Sequence, residues 1–260
     1  MLKAFSTAAT GMDAQQTMID AIANNLANVS TNGFKRSQVN FQDLLYLKMR
    51  DADREVASGI TAPSGLEIGS GVQVASTTKT FTVGEVQRTG NDLDVAIQGD
   101  GFFKVLLPNG EERYTRDGAF QKDANGLLVN ASGYQISPGI TIPQDAMMID
   151  IAADGTVSAQ TPAGTQAVGT LELYRFPNPA GLSSEGGNLY RETASSGANV
   201  AGKAGEQGYG SILSKYLEKS NVEMVTELVN LINAQRAYEI NSRTIRTGDN
   251  ILQQLSQLIR

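Results

Sequence analysis

The sequence contains neither cysteine nor histidine. This double absence excludes disulfides, thiol catalysis, Ser-His-Asp triads and every zinc site that depends on these two side chains. An enzyme built on this chain would have to work with Asp, Glu, Lys, Ser or Tyr alone. Such an enzyme is possible but uncommon, and we predict no catalytic residues, no cofactor and no metal site.

The chain also has little positive charge and no long apolar run. Its formal net charge of −6 argues against a nucleic acid or an anionic membrane as a partner, because both require a basic face. Residues 44–47 form one of the longest apolar runs, far shorter than a membrane span. The first residues do not resemble a secretory signal, since their apolar positions are periodic rather than continuous. We predict no nucleic-acid partner, no membrane insertion and no cleavable signal peptide.

What is present is an apolar pattern at both ends of the chain, with alternating steps of three and four residues. This spacing is typical of one face of a helix and of a coiled-coil seam. The N-terminal stripe consists of Leu2, Phe5, Ala9, Met12, Gln16, Ile19, Ala23 and Leu26. The C-terminal stripe consists of Leu231, Ala234, Tyr238, Asn241, Ile245, Gly248, Leu252, Leu255 and Ile259.

These two stripes are our predicted self-assembly residues. Polar or small residues interrupt them at Gln16, Asn241 and Gly248, and such interruptions set register in coiled coils. Apolar residues beside the stripes widen each face beyond a seam for two helices: Met18, Ile22, Leu228 and Ile232. The pattern favours packing among several copies, and a helix hairpin that closes a monomer is the alternative.

The middle of the chain has a different pattern. From Val72 the apolar period changes to two, and short apolar runs follow, separated by turn signals such as residues 108–110 and 132–133. The runs lie at 94–98, 102–107, 127–129, 134–136, 147–151 and 169–176. They predict an all-β domain of sandwich or irregular barrel type.

The predicted fold class is α+β, with terminal helices that pair as a coiled coil. The predicted domains are the paired helices at 1–30 and 221–260, an extended arm at 31–71, an all-β outer domain at 72–210 and a return linker at 211–220. Residues 34–49 are expected to be extended at first, with helix as an option later, and residues 50–71 to form a long loop. A capping box from Ser220 to Glu223 predicts that the closing helix begins near Ser220.

Three short segments could carry chemistry, and each has a simpler interpretation. The sequence Gly-Asp-Gly at 99–101 lacks the third glycine and the following helix of a dinucleotide loop, so we expect a hairpin or bulge. Residues 123–126 begin like a calcium loop but lack its later carboxylates, which favours a turn. Asp92 and Asp94 could form a glycosidase pair, although a solvated strand face is the preferred interpretation.

Several segments together resemble the motifs of one known protein family. Residues 24–36 read NNLANVSTNGFKR, which resembles the signature of the bacterial flagellar rod and hook proteins. The signature residues are Asn24, Asn25, Asn28, Gly33, Phe34, Lys35 and Arg36. Residues 94–103 (DVAIQGDGFF) and 114–120 (YTRDGAF) are similar to its central β motifs, and residues 228–243 (LVNLINAQRAYEINSR) to its C-terminal motif. Within the family, the chain length and residues 62–72 resemble the distal rod members.

The resemblance implies a protein that is not an enzyme but a structural subunit. Copies of it would self-assemble into a hollow helical drive shaft, which transmits motor torque to the hook and conducts exported subunits. The terminal helices would line the tube, the β domain would face outward, and the arm would bridge neighbours. The implied partners are further copies, proximal rod and hook proteins at the two ends, a surrounding ring bushing and the flagellar export apparatus. The implied location is the basal body in the periplasm, and residues 45–71 would correspond to the stretch that distinguishes a stiff rod from a bending hook.

Two other functions are compatible with the sequence. One is another axial member of the same family, either a proximal rod protein or a hook protein. The other, from a different class, is a secreted carbohydrate-acting β-domain enzyme with oligomerising ends, for which Asp92 and Asp94 would be the carboxylates to test.

Overall fold

A computed structural model describes residues 2–50, 55–57, 60–61 and 65–258. These residues form two compact units. One, which we call the helical unit, comprises the described residues of Met1–Leu26, Ser37–Thr78 and Met224–Arg260. The other, which we call the β unit, comprises Ala27–Arg36 and Lys79–Glu223.

Two long helices come from the ends of the chain. Helix α1 spans Leu2–Ala27, as its Ala-rich periodic sequence predicts, and it is followed by a turn in which the amide of Thr31 donates to the carbonyl of Asn28. Helix α2 spans Met224–Leu258. No helix in the described ranges is both long enough and apolar enough to span a membrane.

Helix α2 begins four residues later than the capping box predicted. The side-chain amide of Asn221 donates to the carbonyl oxygen of Thr80, and its carbonyl oxygen accepts from the amide of Arg36. Val222, the next residue, is buried. These tertiary contacts hold residues 221 and 222 outside the helix and override the local capping signal.

The helical unit also contains short strands from the segment after the first helix. They are β1 Ser37–Asp43, β2 Tyr46–Arg50, β3 Glu55–Ala57, β4 Ile60–Thr61, β5 Leu66–Gly69 and β6 Val72–Lys79, the last residue of which belongs to the β unit. Strand β1 pairs with β6, β2 with β5, and β3 with β4.

Strand β2 lies where the later part of residues 34–49 had helix as an option, and strands β3 to β5 occupy much of the long loop expected at 50–71. All residues of β2 are exposed, so neither face selects apolar side chains and the sequence shows no period of two. The parts of this prediction that fall on residues 51–54, 58–59 and 62–64 lie outside the described residues.

The β unit contains the remaining strands and one short 3₁₀ helix at Pro179–Gly181. The strands are β7 Val86–Arg88, β8 Val95–Gln98, β9 Phe103–Leu106, β10 Glu112–Thr115, β11 Gln121–Lys122, β12 Leu128–Val129, β13 Gln135–Ile136, β14 Met148–Ile151, β15 Thr156–Thr161, β16 Gly164–Thr170, β17 Glu172–Arg175, β18 Ser183–Gly186, β19 Leu189–Arg191, β20 Val200–Lys203, β21 Ser211–Ser214 and β22 Tyr216–Glu218. Every apolar run predicted as a strand between residues 94 and 176 contains one.

The largest sheet has seven strands in the order β11-β12-β13-β9-β10-β19-β18. Its centre is the antiparallel pair of β9 and β10, in which Phe103 lies opposite Thr115. A three-stranded sheet of β14, β15 and β16 and the pairs β17-β20, β8-β21 and β7-β22 complete the unit. Residues 211–218, for which we expected a linker, are thus two strands, because each finds a backbone partner far away in the sequence.

The core of the β unit is built from large apolar side chains on the inner faces of these strands. Ile97, Phe103, Leu171 and Leu173 are completely buried in the main cluster. A second cluster is aromatic and includes Phe102, Tyr114, Tyr174, Phe176 and Tyr190. A central, mainly β region between two terminal helices confirms the predicted α+β class.

Candidate assembly surfaces and signature segment

Helix α1 buries a face displaced by about one residue from the predicted stripe. The buried residues of α1 are Ala8, Ala14, Ile22 and Asn25. Of the predicted positions, Phe5, Met12, Ile19 and Leu26 are half-buried, whereas Ala9, Gln16 and Ala23 are exposed. The side chain of Leu2 is outside the described part of the structure.

The displacement has a physical cause, because α1 is contacted from two directions within the helical unit. The α1 hydroxyl of Thr10 accepts from the amide of Val72 in β6, and the Asn25 side chain bonds to Ser37 in β1. Helix α2 contacts a different face of α1, through pairs such as Asn241 with Gly11 and Gly248 with Phe5. The stripe was predicted from spacing that suits packing against one other helix, and this spacing carries no information about strands that contact α1 from another side.

The predicted stripe of α2 coincides better with the buried face of that helix. Ala234 is buried, and four further positions are half-buried: Leu231, Asn241, Ile245 and Gly248. Tyr238 and Leu252 are exposed. The side chain of Leu255 and the whole of Ile259 are outside the described residues.

Two of the small or polar interruptions, Asn241 and Gly248, are points of close contact between the helices. A Cβ atom added to Gly248 would clash with the ring of Phe5 in α1, and one added to Gly11 would lie 2.9 Å from the side-chain nitrogen of Asn241. At the other end of the pair, Asn25 of α1 donates to Glu227 of α2 over 3.5 Å. The helices are therefore antiparallel, and Gly248 is the position where a side chain would separate them.

The opposite side of α2 exposes large apolar side chains. Val225 is 69% exposed, Val229 52% and Ile232 49%, and Ile240, on the flank of this face, is 64% exposed. Burying such side chains stabilises an assembly by about 1.5–3 kcal/mol each. The flanking residues Leu228 and Ile232 were a partial signal for this surface in the sequence, whereas the stripe itself was not.

An open groove lies between the start of α1 and the second half of α2. It has a volume of about 450 Å³ and a mainly apolar lining that includes Phe5, Ile240 and Ile251. Like the exposed face of α2, it is an apolar surface of the helical unit.

The signature residue Asn25 ties α1 to the first strand of the helical unit. Its amide nitrogen donates to the carbonyl oxygen of Ser37, and its carbonyl oxygen accepts from the amide of Ser37, both over 2.9 Å. The side chain thus reproduces the two bonds of a strand neighbour. Because it is 1% exposed, each lost bond would leave a buried polar group unpaired.

The signature residue Gly33 occupies a position that only glycine tolerates. Its φ of +67° lies in the left-handed region, and an added Cβ would lie 2.7 Å from the amide nitrogen of Asp117. The amide of Gly33 donates to the carbonyl oxygen of Glu218 over 2.8 Å. The turn is therefore packed against the backbone of the central YTRDGAF segment and of β22.

Next to this glycine, Lys35 is completely buried in an ion network. Its Nζ contacts Glu218 and donates to the carbonyl oxygen of Thr82, and Glu218 also accepts from the amide of Gly84 over 2.9 Å. Arg116 is buried as well, with Nη1 3.6 Å from the second oxygen of Glu218. The network therefore contains two buried cations and one buried anion.

Burial dominates the electrostatics of this network. Burial lowers the pKa of Lys35 from its ordinary value, Glu218 opposes this shift, and Arg116 adds to it. Burial likewise lowers the pKa of Arg116. The guanidinium of Arg116 also lies over the ring of Phe102, 5.3 Å from its centroid, and this contact offsets part of its desolvation. Our hypothesis is that this network fixes the position of the signature segment against the segments that carry Arg116 and Glu218.

The remaining signature residues extend the same segment. Phe34 is buried beneath Lys79, whose Nζ lies 4.8 Å from the ring centroid. The backbone of Arg36 donates to Asn221 and accepts from the amide of Thr80. The Asn28 side chain accepts from the hydroxyl of Thr31 in the turn, and Asn24 is exposed on α1.

The segments considered for chemistry have structural roles. Asp92 pairs with Lys215 over 3.0 Å, and Asp94 accepts from Asn91 over 3.0 Å. Asp94 is 7% exposed, so our preferred interpretation of a solvated face was wrong for this residue. Asp94 is buried because its side chain accepts a hydrogen bond from Asn91 and its backbone pairs with that of Ala119.

The two glycine-containing segments are connections between strands. Residues 99–101 lead from β8 to β9, with Gly99 packed against the backbone of Gly210. They are not a hairpin, because β8 and β9 belong to different sheets. Residues 123–126 form the expected turn, in which the amide of Gly126 donates to the carbonyl oxygen of Asp123.

Comparison with known proteins gives matches along most of the chain. Residues 5–35 match the family model described as flagella basal body rod protein, residues 96–159 match the flagellar hook protein FlgE/F/G D1 domain, and residues 213–258 match the flagellar basal body rod FlgEFG protein C-terminal model.

Similar proteins cover the full length. The chain is 50% identical over 251 residues to the flagellar basal-body rod protein FlgG of Buchnera aphidicola subsp. Schizaphis graminum, with 96% of each chain covered. It is 45% identical over 256 residues to FlgG of Borreliella burgdorferi, with 97% of each covered. It is 38% identical over 266 residues to FlgG of Bacillus subtilis, with 100% of each covered.

Proposed function

The chain belongs to the flagellar basal-body rod protein family, and from this premise we propose that it is a structural subunit of the distal rod. In this proposal, copies of the chain self-assemble into a hollow helical shaft that transmits torque to the hook and conducts exported subunits. Its neighbours are proximal rod and hook proteins at the two ends and a ring bushing around the shaft. The shaft lies in the periplasm, and subunits reach it through the flagellar export apparatus. No catalytic step is part of this function.

The observation that supports self-assembly most strongly is the exposed apolar face of α2. Val225, Val229, Ile232 and Ile240 are each about half exposed or more in a helix whose other face already packs on α1. Exposed apolar surface of this extent on one helix is typical of a binding site. In the proposed shaft the paired helices form the inner wall, where these side chains are covered by neighbouring copies.

Residues 37–78 are proposed to bridge neighbouring subunits. Strands β2 and β5 form a ribbon with little core of its own, in which Met49 is 61% exposed and Leu66 52%. Leu45, directly before β2, is 89% exposed. A ribbon of this kind is stabilised when a neighbour covers it. Deleting residues 45–71 should give polymers that bend more than wild-type polymers in electron micrographs, and equally straight polymers would contradict the bridging role.

The direct test of self-assembly is truncation before α2. A chain that ends at Glu223 keeps Asn221 and the whole β unit but lacks α2. We expect it to stay soluble at concentrations where the full-length chain forms tubes, because the apolar face of α2 is gone. Sedimentation and electron microscopy measure polymer, and circular dichroism verifies that the β unit is folded. Tubes formed by the folded truncated chain would overturn the proposal that the helices form the shaft.

A further inference from the structure

The outward face of α1 carries two acidic residues one heptad apart. Asp13 and Asp20 are both exposed, and on a helical wheel they point away from the buried positions Ala8 and Ile22. Within the described ranges, neither carboxylate has an ion-pair partner. Seven residues of helix separate the two charges by about 10.5 Å along the axis.

The outward face of α2 carries two basic residues with the same spacing. Arg236 and Arg243 are exposed and lie opposite the buried residues Glu227 and Ala234 on the wheel. They too have no ion-pair partner in the described part of the chain. On the flank of this face, Glu239 and Arg246 have opposite charges. The two helix backs of one unit therefore carry complementary charge pairs with equal separation.

Within one copy these charges cannot meet. The two helices bury their inner faces against each other, so their backs point in opposite directions. The antiparallel contacts of Gly11 with Asn241 and of Asn25 with Glu227 define which residues lie level. On this register Arg243 lies level with Ala9, four residues from Asp13, and Arg236 lies level with Gln16, four residues from Asp20.

We propose that Asp13 and Asp20 on α1 of one copy pair with Arg243 and Arg236, respectively, on α2 of a second copy. This inference rests on the proposed self-assembly and deepens it, since it names the surfaces and the register of one contact between copies. Because the spacing is equal, a single shift of four residues, about 6 Å along the helix axis, aligns both pairs at once. The same shift brings the exposed Val229 of α2 level with Ala27 of α1, which adds an apolar contact.

The register has a consequence for the form of the assembly. The contact joins the back of α1 in one copy to the back of α2 in another, so it is heterologous. In a pair of copies, the α2 back of the first and the α1 back of the second remain free to bind further copies. A heterologous contact with an axial shift does not close into a flat ring but continues as an open helix. The charge register thus favours a helical tube over a dimer.

Charge reversal with reciprocal rescue tests this pairing. The full-length variant D13R/D20R carries positive charge on both backs, and R236E/R243E carries negative charge on both. In a polymer of either variant alone, residues of the same charge face each other at the proposed contact and repel. We therefore expect the critical concentration for polymerisation of each variant to rise about tenfold or more. An equimolar mixture can alternate the two variants with every pair restored. We expect its critical concentration to return to within about twofold of the wild-type value.

Controls separate this inference from the proposed function and from misfolding. The variant D145R/D150R makes the same change in charge at exposed positions of the β unit and should polymerise like the wild type. Circular dichroism of each variant monitors helix content. If the wild type polymerises and either double variant does so equally well, the pairing is overturned while self-assembly stands. Two folded variants that fail to co-assemble also overturn it, and a wild type that never associates overturns both proposals.

Discussion

The two units of this protein differ in what they bury. The β unit has a core of large side chains, among which Ile97, Phe103, Leu171 and Leu173 are fully inaccessible. In the described part of the helical unit, the buried apolar residues are Ala8, Ala14, Ile22 and Ala234, three of them alanines. Since stabilisation by burial scales with apolar area, we expect the β unit to fold by itself and the helical unit to gain most of its stability from the neighbouring copies in the proposed shaft.

The helical unit, which buries few large apolar side chains, exposes several of them. Large apolar residues of the helical unit, such as Leu45, Val225 and Ile240, are more than half exposed. A family of structural subunits benefits from this division, because a subunit must remain soluble before it assembles and become rigid afterwards. We therefore propose that the β unit stabilises the folded monomer and that the helical unit provides the surfaces for assembly.

The largest effect on stability is expected from Phe103 in the core of the β unit. Phe103→Ala removes a ring that packs edge-on against Phe120 and should lower the free energy of unfolding of the β unit by about 3–5 kcal/mol. Ile232→Ala, on the exposed face of α2, should change the monomer by less than about 0.5 kcal/mol while it weakens polymerisation. Urea unfolding followed by near-UV circular dichroism measures the first effect. Equal losses of monomer stability from the two substitutions would contradict the division between the units.

Within the β unit, the ion network allows a comparison between the loss of its anion, Glu218, and the loss of one of its cations, Lys35. Glu218→Gln leaves Lys35 and Arg116 buried without an anion and should cost about 3–5 kcal/mol. Lys35→Met leaves a balanced pair of Arg116 and Glu218 and should cost less, about 1–3 kcal/mol, mainly through the lost bonds to Thr82 and Glu218.

The order of these two losses is the decisive observation. Urea unfolding of both variants in the same buffer at neutral pH measures the loss in free energy of unfolding for each. A larger loss for Lys35→Met than for Glu218→Gln would show that the excess positive charge in this network is not what governs its stability.

A smaller effect is expected from Asn25 in the helical unit. Asn25→Ala removes both bonds to the backbone of Ser37 and should destabilise the attachment of α1 to β1 by about 1–3 kcal/mol. Because the helical unit contributes little to the folding of the β unit, the main unfolding transition should hardly move. Limited proteolysis of α1 should instead become faster. Unchanged cleavage of α1, or a large shift of the main transition, would be inconsistent with this account.

Local sequence signals predicted the elements that depend on local physics. The period of three and four residues predicted α1, with an end at residue 30 that lies three residues beyond the observed end at Ala27. Alternating runs with glycine turns predicted strands such as β8, β9 and β14. The turn at 123–126 was likewise evident from its residues. These elements are formed by side chains and turns that are close together in the sequence.

The failures involve partners that are distant in the sequence. Strand β21 at 211–214 is defined by pairing with β8, more than a hundred residues earlier, so its sequence has no strong signal of its own. The buried face of α1 was displaced because β1 and β6 contact it from a second side. The network of Lys35, Arg116 and Glu218 joins three separate segments, and of these only Lys35 stood out, through the family signature.

Hydrogen exchange of backbone amides in monomer and polymer tests the central claim most directly. The account predicts that amides of β9 and β10 are strongly protected in both states, since they lie in the core of the β unit. Amides of α1 and α2 should exchange rapidly in the dilute monomer and become protected only in the polymer. Helix amides in the dilute monomer that are as protected as those of β9 would contradict the claim that neighbouring copies stabilise the helical unit.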